Sequence, residues 1–456
     1  MTEIAVDAVR RRAVQGFTLY DVANSAFVTT VITAVGGPFV TAVAEAAEDA
    51  RGRVDLLGLT PRADAVYAYA LSLSVVVQVL LLPLLGALSD RARAKRQVLV
   101  GSTVVGAAAT VLLALVPDGQ PLAAVAALVV ANVAYSAAIT VYNAHLADVA
   151  EPADRARVSG SGYAWGYAGG AFVLAVALVL VTAAPSLGLS TGAAGRLSIV
   201  LSGAWWLAVG LVAVRRLDAA RLLPGHVAGP AGPVDLRGAL VQLRGSVAAL
   251  RRLPGTARFL AAFLLFNDAV QAVIGLASVV LVQELYVARG RPEDDATGFL
   301  LTLVLLIQVV AVAGAGVSAR LAARFGAKQV LLAMLVAWTG VLLFAVLSLT
   351  SQAQAYGLGI VIALVLGGSQ SLSRSLFSEM VPDDRQASFF GFYELAERGT
   401  AWIGTLTFAV VLDVTGSYRG ALLSLLVLFA SGALLLARTD TDAAIAAARA
   451  AEAPAV

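Results

Sequence analysis

Apolar residues in this chain come in long runs separated by short polar stretches, and each run is about as long as a helix that crosses a bilayer. A hydrocarbon core is spanned by roughly 20 apolar residues, and only a hydrogen-bonded helix or a closed barrel hides the backbone there. Twelve such runs are present, predicted at 17 to 43, 65 to 89, 97 to 116, 121 to 147, 157 to 183, 196 to 214, 257 to 286, 297 to 319, 328 to 349, 353 to 377, 386 to 412 and 418 to 437. The pattern therefore predicts an all-α integral membrane protein with twelve transmembrane helices.

The longest polar connection divides the runs six and six. The expected organisation is an N-terminal six-helix half at 1–214, a linker at 215–256, a C-terminal six-helix half at 257–438 and a tail at 439–456. Within the linker, Leu236, Leu240, Leu243, Val247 and Leu250 recur at helical spacing, while Arg237, Arg244 and Arg251 lie on another face. That predicts an amphipathic helix on the cytoplasmic leaflet, acting as a plain connector or as a regulatory element.

The halves also resemble each other. LADVAEPADRARVSGSGYAWGYAGG, from 146, aligns with LFSEMVPDDRQASFFGFYELAERGT, from 376, and DRARAKRQVL, from 90, aligns with ARFGAKQVLL, from 323. Parallel six-span repeats around a midplane site are how many secondary transporters are built.

Charge fixes the expected orientation. Lys and Arg number 23 on the face that carries both termini and 7 on the other, so both termini are expected in the cytoplasm. The pI near 9.2 then reads as a topology signal rather than as nucleic-acid binding. Composition agrees: 59% of residues are hydrophobic and 13% charged, against about 25% charged in soluble domains. Cysteine is absent and histidine is limited to His145 and His226, which excludes thiolate chemistry and a histidine-rich metal site. Neither lysine stands in a phosphate-binding loop, and no Gly-x-Ser-x-Gly elbow or His-Glu-x-x-His helix occurs. No cofactor and no enzymatic activity are expected.

Polar groups inside the runs carry the candidate chemistry, because a charge at the bilayer centre costs at least about 2.5 kcal/mol on insertion scales. LYDVANSAF places Asp21 and Asn24 on one helix face of the first span. FNDAVQAV places Asn267, Asp268 and Gln271 in the seventh, and FFGFYELAERGTAW places Tyr393, Glu394, Glu397 and Arg398 in the eleventh. Glu394 and Arg398 have ion-pair spacing, and Gln370 and Arg374 add polar groups in the tenth span. Two readings stay open for Asp21 and Asp268: helix-end carboxylates near water, or groups lining a solute path. For the eleventh-span cluster the choice is a structural ion pair or a site.

GALSDRARAKR, from 86, follows the second span. Gly86, Asp90, Arg91, Lys95 and Arg96 match the loop signature of the major facilitator superfamily, where they are expected to form a cytoplasmic gate. The second-half copy keeps Arg324, Gly326 and Lys328 but has Ala323 in place of the aspartate, so it lacks the carboxylate of the first-half gate.

Four further segments carry a closer resemblance: Tyr20-Asp21-x-Ala23-Asn24-Ser25, Phe266-Asn267-Asp268, Ser371-Leu372-Ser373-Arg374-Ser375-Leu376-Phe377 and Phe389-Phe390-Gly391-Phe392-Tyr393-Glu394-Leu395. Together they resemble the autophagy-related vacuolar effluxer family and its bacterial relatives, across both halves and in the same order. Val22 stands where the family usually has tryptophan, and Glu397-Arg398 where a small residue before a basic one is expected.

Fungal members are associated with releasing amino acids such as leucine from the vacuole. The resemblance thus implies alternating-access transport of a small polar metabolite, with an amino acid as the first choice. On that reading Arg398 or Arg374 holds a carboxylate, and Asp21, Asp268 or Glu394 holds an ammonium group. A protonatable carboxylate, Glu397 included, offers a site for proton coupling. The expected partners are the bilayer, a small-molecule substrate and protons, with the chain acting as a monomer in the cytoplasmic membrane. The competing reading is a non-transporting receptor or scaffold on the same fold.

Overall fold

In the computed structural model, residues 3–89, 94–223, 236–291, 297–398, 402–415 and 417–451 are described. Long apolar runs have become helices because a helix meets every backbone hydrogen bond within itself. The helices are α1 (Glu3–Ala26), which continues through a π-helical segment (Phe27–Val35) into α2 (Gly36–Glu45), then α3 (Val66–Ser89), α4 (Ala94–Leu115), α5 (Pro121–Ala144), the short α6 (Leu146–Val149), α7 (Pro152–Thr182) and α8 (Thr191–Leu217). They continue with α9 (Leu236–Arg252), α10 (Pro254–Leu285), α11 (Thr297–Phe325), α12 (Ala327–Ser348), α13 (Gln352–Glu379), α14 (Gln386–Arg398), α15 (Trp402–Thr415), α16 (Tyr418–Ala437) and α17 (Thr441–Ala450).

Among the described residues, eleven helical stretches are long and apolar enough to cross a membrane, from Ala5–Glu45 to Tyr418–Ala437. A shorter apolar stretch, Ile403–Leu412, lies where the eleventh span is expected. That span is described as two pieces, α14 and α15, so the helix count is close to the twelve read from the sequence.

The faces of α3 show how these helices meet lipid. Tyr69, Leu73, Val76 and Leu80 are exposed, whereas Ala70, Ser74, Gln78 and Leu82 are buried. The polar groups turn inward and the large apolar ones outward, which is the arrangement hydrocarbon solvent favours. Inside, Asn132 of α5 donates to Ser74 Oγ at 2.7 Å, a bond between helices that apolar contact alone does not drive together in lipid.

Two compact units result. The first holds Met1–Val149 and Trp165–Leu240, the second Ala150–Ala164 and Val241–Val456. In the first, α1 packs on α8, α4 on α5 and α8, and α3 on α5. In the second, α11 packs on α13, α10 on α16, and α12 on α13 and α16. The opening stretch of α7 thus lies in the second unit and its remainder in the first. Helix starts are set by side chains: Ser351 and Gln354 form a reciprocal capping box at α13, and Ser190 caps α8.

Candidate functional site

Asp21 is buried on α1, where a carboxylate needs a donor. The donor is the hydroxyl of Tyr142 on α5, 2.7 Å from Oδ2. Tyr142 is itself held by rings on either side, with centroids 4.4 Å from Phe17 and 5.0 Å from Tyr20. On the α7 side, Gly166 and Gly169 let the helices close: a Cβ on Gly166 would lie 3.2 Å from Asp21 Cβ, and one on Gly169 would lie 2.7 Å from Val22 Cγ1.

Asn24, one turn on, is also buried, and its Nδ2 has no hydrogen-bond partner among the described residues. The π-helical segment begins three residues later; such segments shift the backbone ladder and often mark functional stretches. Here the shifted carbonyl of Ile32 accepts from the Tyr67 hydroxyl of α3 at 2.6 Å.

In the second unit the candidates come from α10, α13 and α14. Asn267 Nδ2 donates to the Glu397 carbonyl at 3.1 Å, tying the seventh span to the eleventh. Asp268 is 1% exposed; its Oδ2 accepts from the Gly404 backbone N–H, while Oδ1 has no partner among the described residues. Tyr393 is buried in an aromatic cluster, 4.2 Å from the Phe263 centroid and 5.0 Å from Phe377. Glu394 is fully buried, whereas Glu397, Gln370 and Gln271 are half-buried. The side chain of Arg398 lies outside the described residues, and with it the Glu394 to Arg398 ion pair.

Arg374 is buried on α13, with its Nε 2.9 Å from Ser159 Oγ, its Nη2 2.9 Å from the Ser159 carbonyl, and its guanidinium 4.3 Å from the centre of the Tyr163 ring. A few residues earlier on α7, Arg155 donates to the Ser378 carbonyl at 2.7 Å and pairs with Asp383 at 3.0 Å. Two arginines therefore clamp the start of α7 to the end of α13. Ser159 and Tyr163 did not stand out in the sequence. The signal that finds Tyr163 is the internal repeat, in which it aligns with Tyr393.

For the gate candidates, Gly86 is buried near the end of α3, and Asp90 and Arg91 lie outside the described residues. Lys95 pairs with Asp148 of α6 at 2.8 Å, and Arg96 with Asp218, just past α8, at 2.8 Å. Their second-half counterpart Lys328 donates to the carbonyls of Ala437 and Thr439 at the end of α16, at 3.1 and 2.7 Å. In both units the basic residues of this loop pin the end of the last span, once through a carboxylate and once through helix-end carbonyls.

Known proteins share both the sequence and the fold pattern. A protein described as an uncharacterised major-facilitator-type transporter, YxiO of Bacillus subtilis, is 28% identical over 93% of this chain and 95% of its own length. Autophagy-related protein 22 of Botryotinia fuckeliana is 26% identical over 60% of this chain, and the match spans 42% of the fungal protein. Among solved structures, a bacterial homologue of the iron transporter ferroportin in an outward-facing state superposes with a TM-score of 0.66 at 15% identity, over 94% of this chain and 98% of that one. The transporter FucP in its outward conformation gives 0.66 at 13% identity, over 94% and 97%. The sequence profile of the family described as "Vacuole effluxer Atg22 like" matches residues 9–154 and 145–449, so the chain belongs to that family of multi-pass major facilitator superfamily transporters.

Proposed function

We propose that this transporter carries a small zwitterionic metabolite, an amino acid in the first instance, across the cytoplasmic membrane by alternating access, with both termini in the cytoplasm. The observation that carries the reading is Asp268, a carboxylate buried in an apolar span with one oxygen bound to a backbone N–H and the other without a partner among the described residues. A buried carboxylate in that condition calls for a proton, a water or a cationic group. The ammonium of an amino acid is such a cation, and a proton on the same oxygen couples its release to the proton gradient.

Asn24, whose amide nitrogen has no partner among the described residues, is a second polar group available to a solute. Arg374 is the weaker choice for the solute's carboxylate, because its Nε and Nη2 already donate to Ser159.

Counterflow in proteoliposomes tests the reading. Liposomes loaded with unlabelled amino acids receive each labelled one outside, and wild type is compared with Asp268→Asn. Exchange above empty liposomes that collapses in the variant supports the proposal. Absence of exchange from folded wild-type protein withdraws the amino-acid substrate, and undiminished exchange with an unchanged pH profile in the variant removes Asp268 from the site.

A further inference from the structure

The connection between the first and second spans is a small, well-tied hairpin. Arg53 and Arg62 bridge at its base and Leu56 and Leu59 near its tip. Leu56 and Leu59 exchange backbone bonds at 2.8 and 3.2 Å. The base is held by the Ala63 N–H on the Gly52 carbonyl at 3.1 Å and by Arg53 Nη1 on the Thr60 carbonyl at 2.7 Å. Asp55 Oδ1 accepts from the Gly58 N–H at 2.7 Å and closes the turn.

The two residues at the turn, Leu57 and Gly58, have φ of 57° and 87°. A two-residue hairpin loop with both central residues at positive φ favours Asn-Gly, Asp-Gly or Gly-Gly. Here a leucine occupies the first position, the only non-glycine residue at positive φ among the described residues. It is 85% exposed and Leu59 is 74% exposed. Nothing in the packing of the hairpin calls for leucine at either place, and backbone preference argues against it at 57.

We infer that this tip is a lipid anchor: Leu57 and Leu59 insert at the headgroup–acyl boundary of the leaflet on their side of the membrane. Reach supports it. The base of the hairpin adjoins the start of α3, and a strand rises roughly 3.3 Å per residue, so the tip can reach up to about 13 Å from that base. The headgroup zone to be crossed is thinner, roughly 5 to 8 Å per side.

Continuity supports it as well. The exposed apolar stripe of α3 begins at Tyr69, one turn into the span, and the hairpin that carries the two exposed leucines joins the chain at the start of that same span. Arg53 and Arg62, both exposed, flank the tip at the base of the hairpin, and long basic side chains suit a headgroup zone.

The chain lacks cysteine, so a single Leu59→Cys substitution takes one environment-sensitive fluorophore and leaves Leu57 in place. Labelled full-length protein goes into nanodiscs holding one copy each, with or without lipids spin-labelled at the headgroup or shallow acyl positions. The expected result is blue-shifted emission that these lipids quench and aqueous iodide does not. A label at Thr60, also exposed, stays iodide-sensitive. Adding Leu57→Asn, which suits the turn better and removes the apolar side chain, reduces lipid quenching while the protein still elutes as a single species. Iodide-sensitive, lipid-insensitive emission at position 59 overturns the inference. So does a blue shift that appears only in discs with two copies, which would assign the tip to contact between chains.

Discussion

Asp21 and Asp268 occupy related places, each a buried aspartate in the first span of one half, yet they are satisfied differently. Asp21 is met by a side chain, the Tyr142 hydroxyl, brought from the fourth span and fixed by flanking rings. Asp268 is met by the backbone N–H of Gly404 on α15, and its second oxygen has no partner among the described residues. A side-chain donor can be deleted without disturbing the helix that carries it. A backbone donor is as fixed as the helix contact that brings it close. Asp21 is therefore met by a replaceable side chain, whereas the bond to Asp268 depends on how closely α10 and α15 approach.

The largest effect is expected from Gly404→Ala. A Cβ there would lie 2.8 Å from Ala272 Cβ, 3.0 Å from the Asp268 carbonyl and 3.1 Å from its Oδ2. The contact must open, at about 1–3 kcal/mol for overpacking, and Asp268 loses its donor geometry. The melting temperature in detergent should fall and exchange in proteoliposomes should be lost. An unchanged melting temperature together with full exchange would mean that this approach is not what holds Asp268.

Tyr142→Phe comes next. It keeps the ring stack and removes only the hydroxyl, at roughly 1–3 kcal/mol for taking the donor from a buried acceptor. A double-mutant cycle with Asp21→Asn should show coupling of similar sign and size in thermal unfolding. Additive effects would break the comparison by showing that Asp21 is satisfied elsewhere.

Asn24→Leu separates stability from solute binding. Replacing a buried amide whose nitrogen is unpartnered by an apolar group of similar volume is nearly neutral or stabilising, so the melting temperature should hold or rise. Exchange should fall if the amide meets the solute. Unchanged exchange assigns Asn24 to packing alone.

How far this was readable in the sequence differs between the parts. The spans were legible because hydrocarbon imposes a length, and the candidate carboxylates because a charge inside such a run is conspicuous. Their partners were not legible. Tyr142 lies 121 positions from Asp21, and nothing local to either residue announces the bond. Gly404 acts through its backbone, which sequence reading does not weigh as a donor. Lys95 and Arg96 stood out as a basic pair, but Asp148 and Asp218 become their partners only when α6 and the end of α8 are brought to the same place. The hairpin at 53 to 62 passed unnoticed because its Leu-Gly turn lacks the Asn-Gly signature that would have marked it.

Asp49, in the same loop as that hairpin, sets the small end of the comparison as a carboxylate satisfied by two backbone donors in open water. Its Oδ1 accepts from the Arg53 and Arg51 N–H groups at 2.9 and 2.8 Å, and these bonds, that of Arg53 first, hold its carboxyl below the ordinary carboxylate range. A depressed folded-state value means that the contribution is present above the unfolded value, about 3.9, and is lost as pH falls through the folded value. Between neutral and mildly acidic pH nothing should change, so any pH dependence of transport in that window belongs to other groups. Asp49→Asn should reduce hydrogen-exchange protection at the Arg51 and Arg53 amides at neutral pH while leaving exchange activity untouched. Wild type should approach the variant's protection only in strong acid. If transport fell with Asp49→Asn, solvated carboxylates would carry function as well, and burial would no longer set Asp21 and Asp268 apart from the exposed carboxylates.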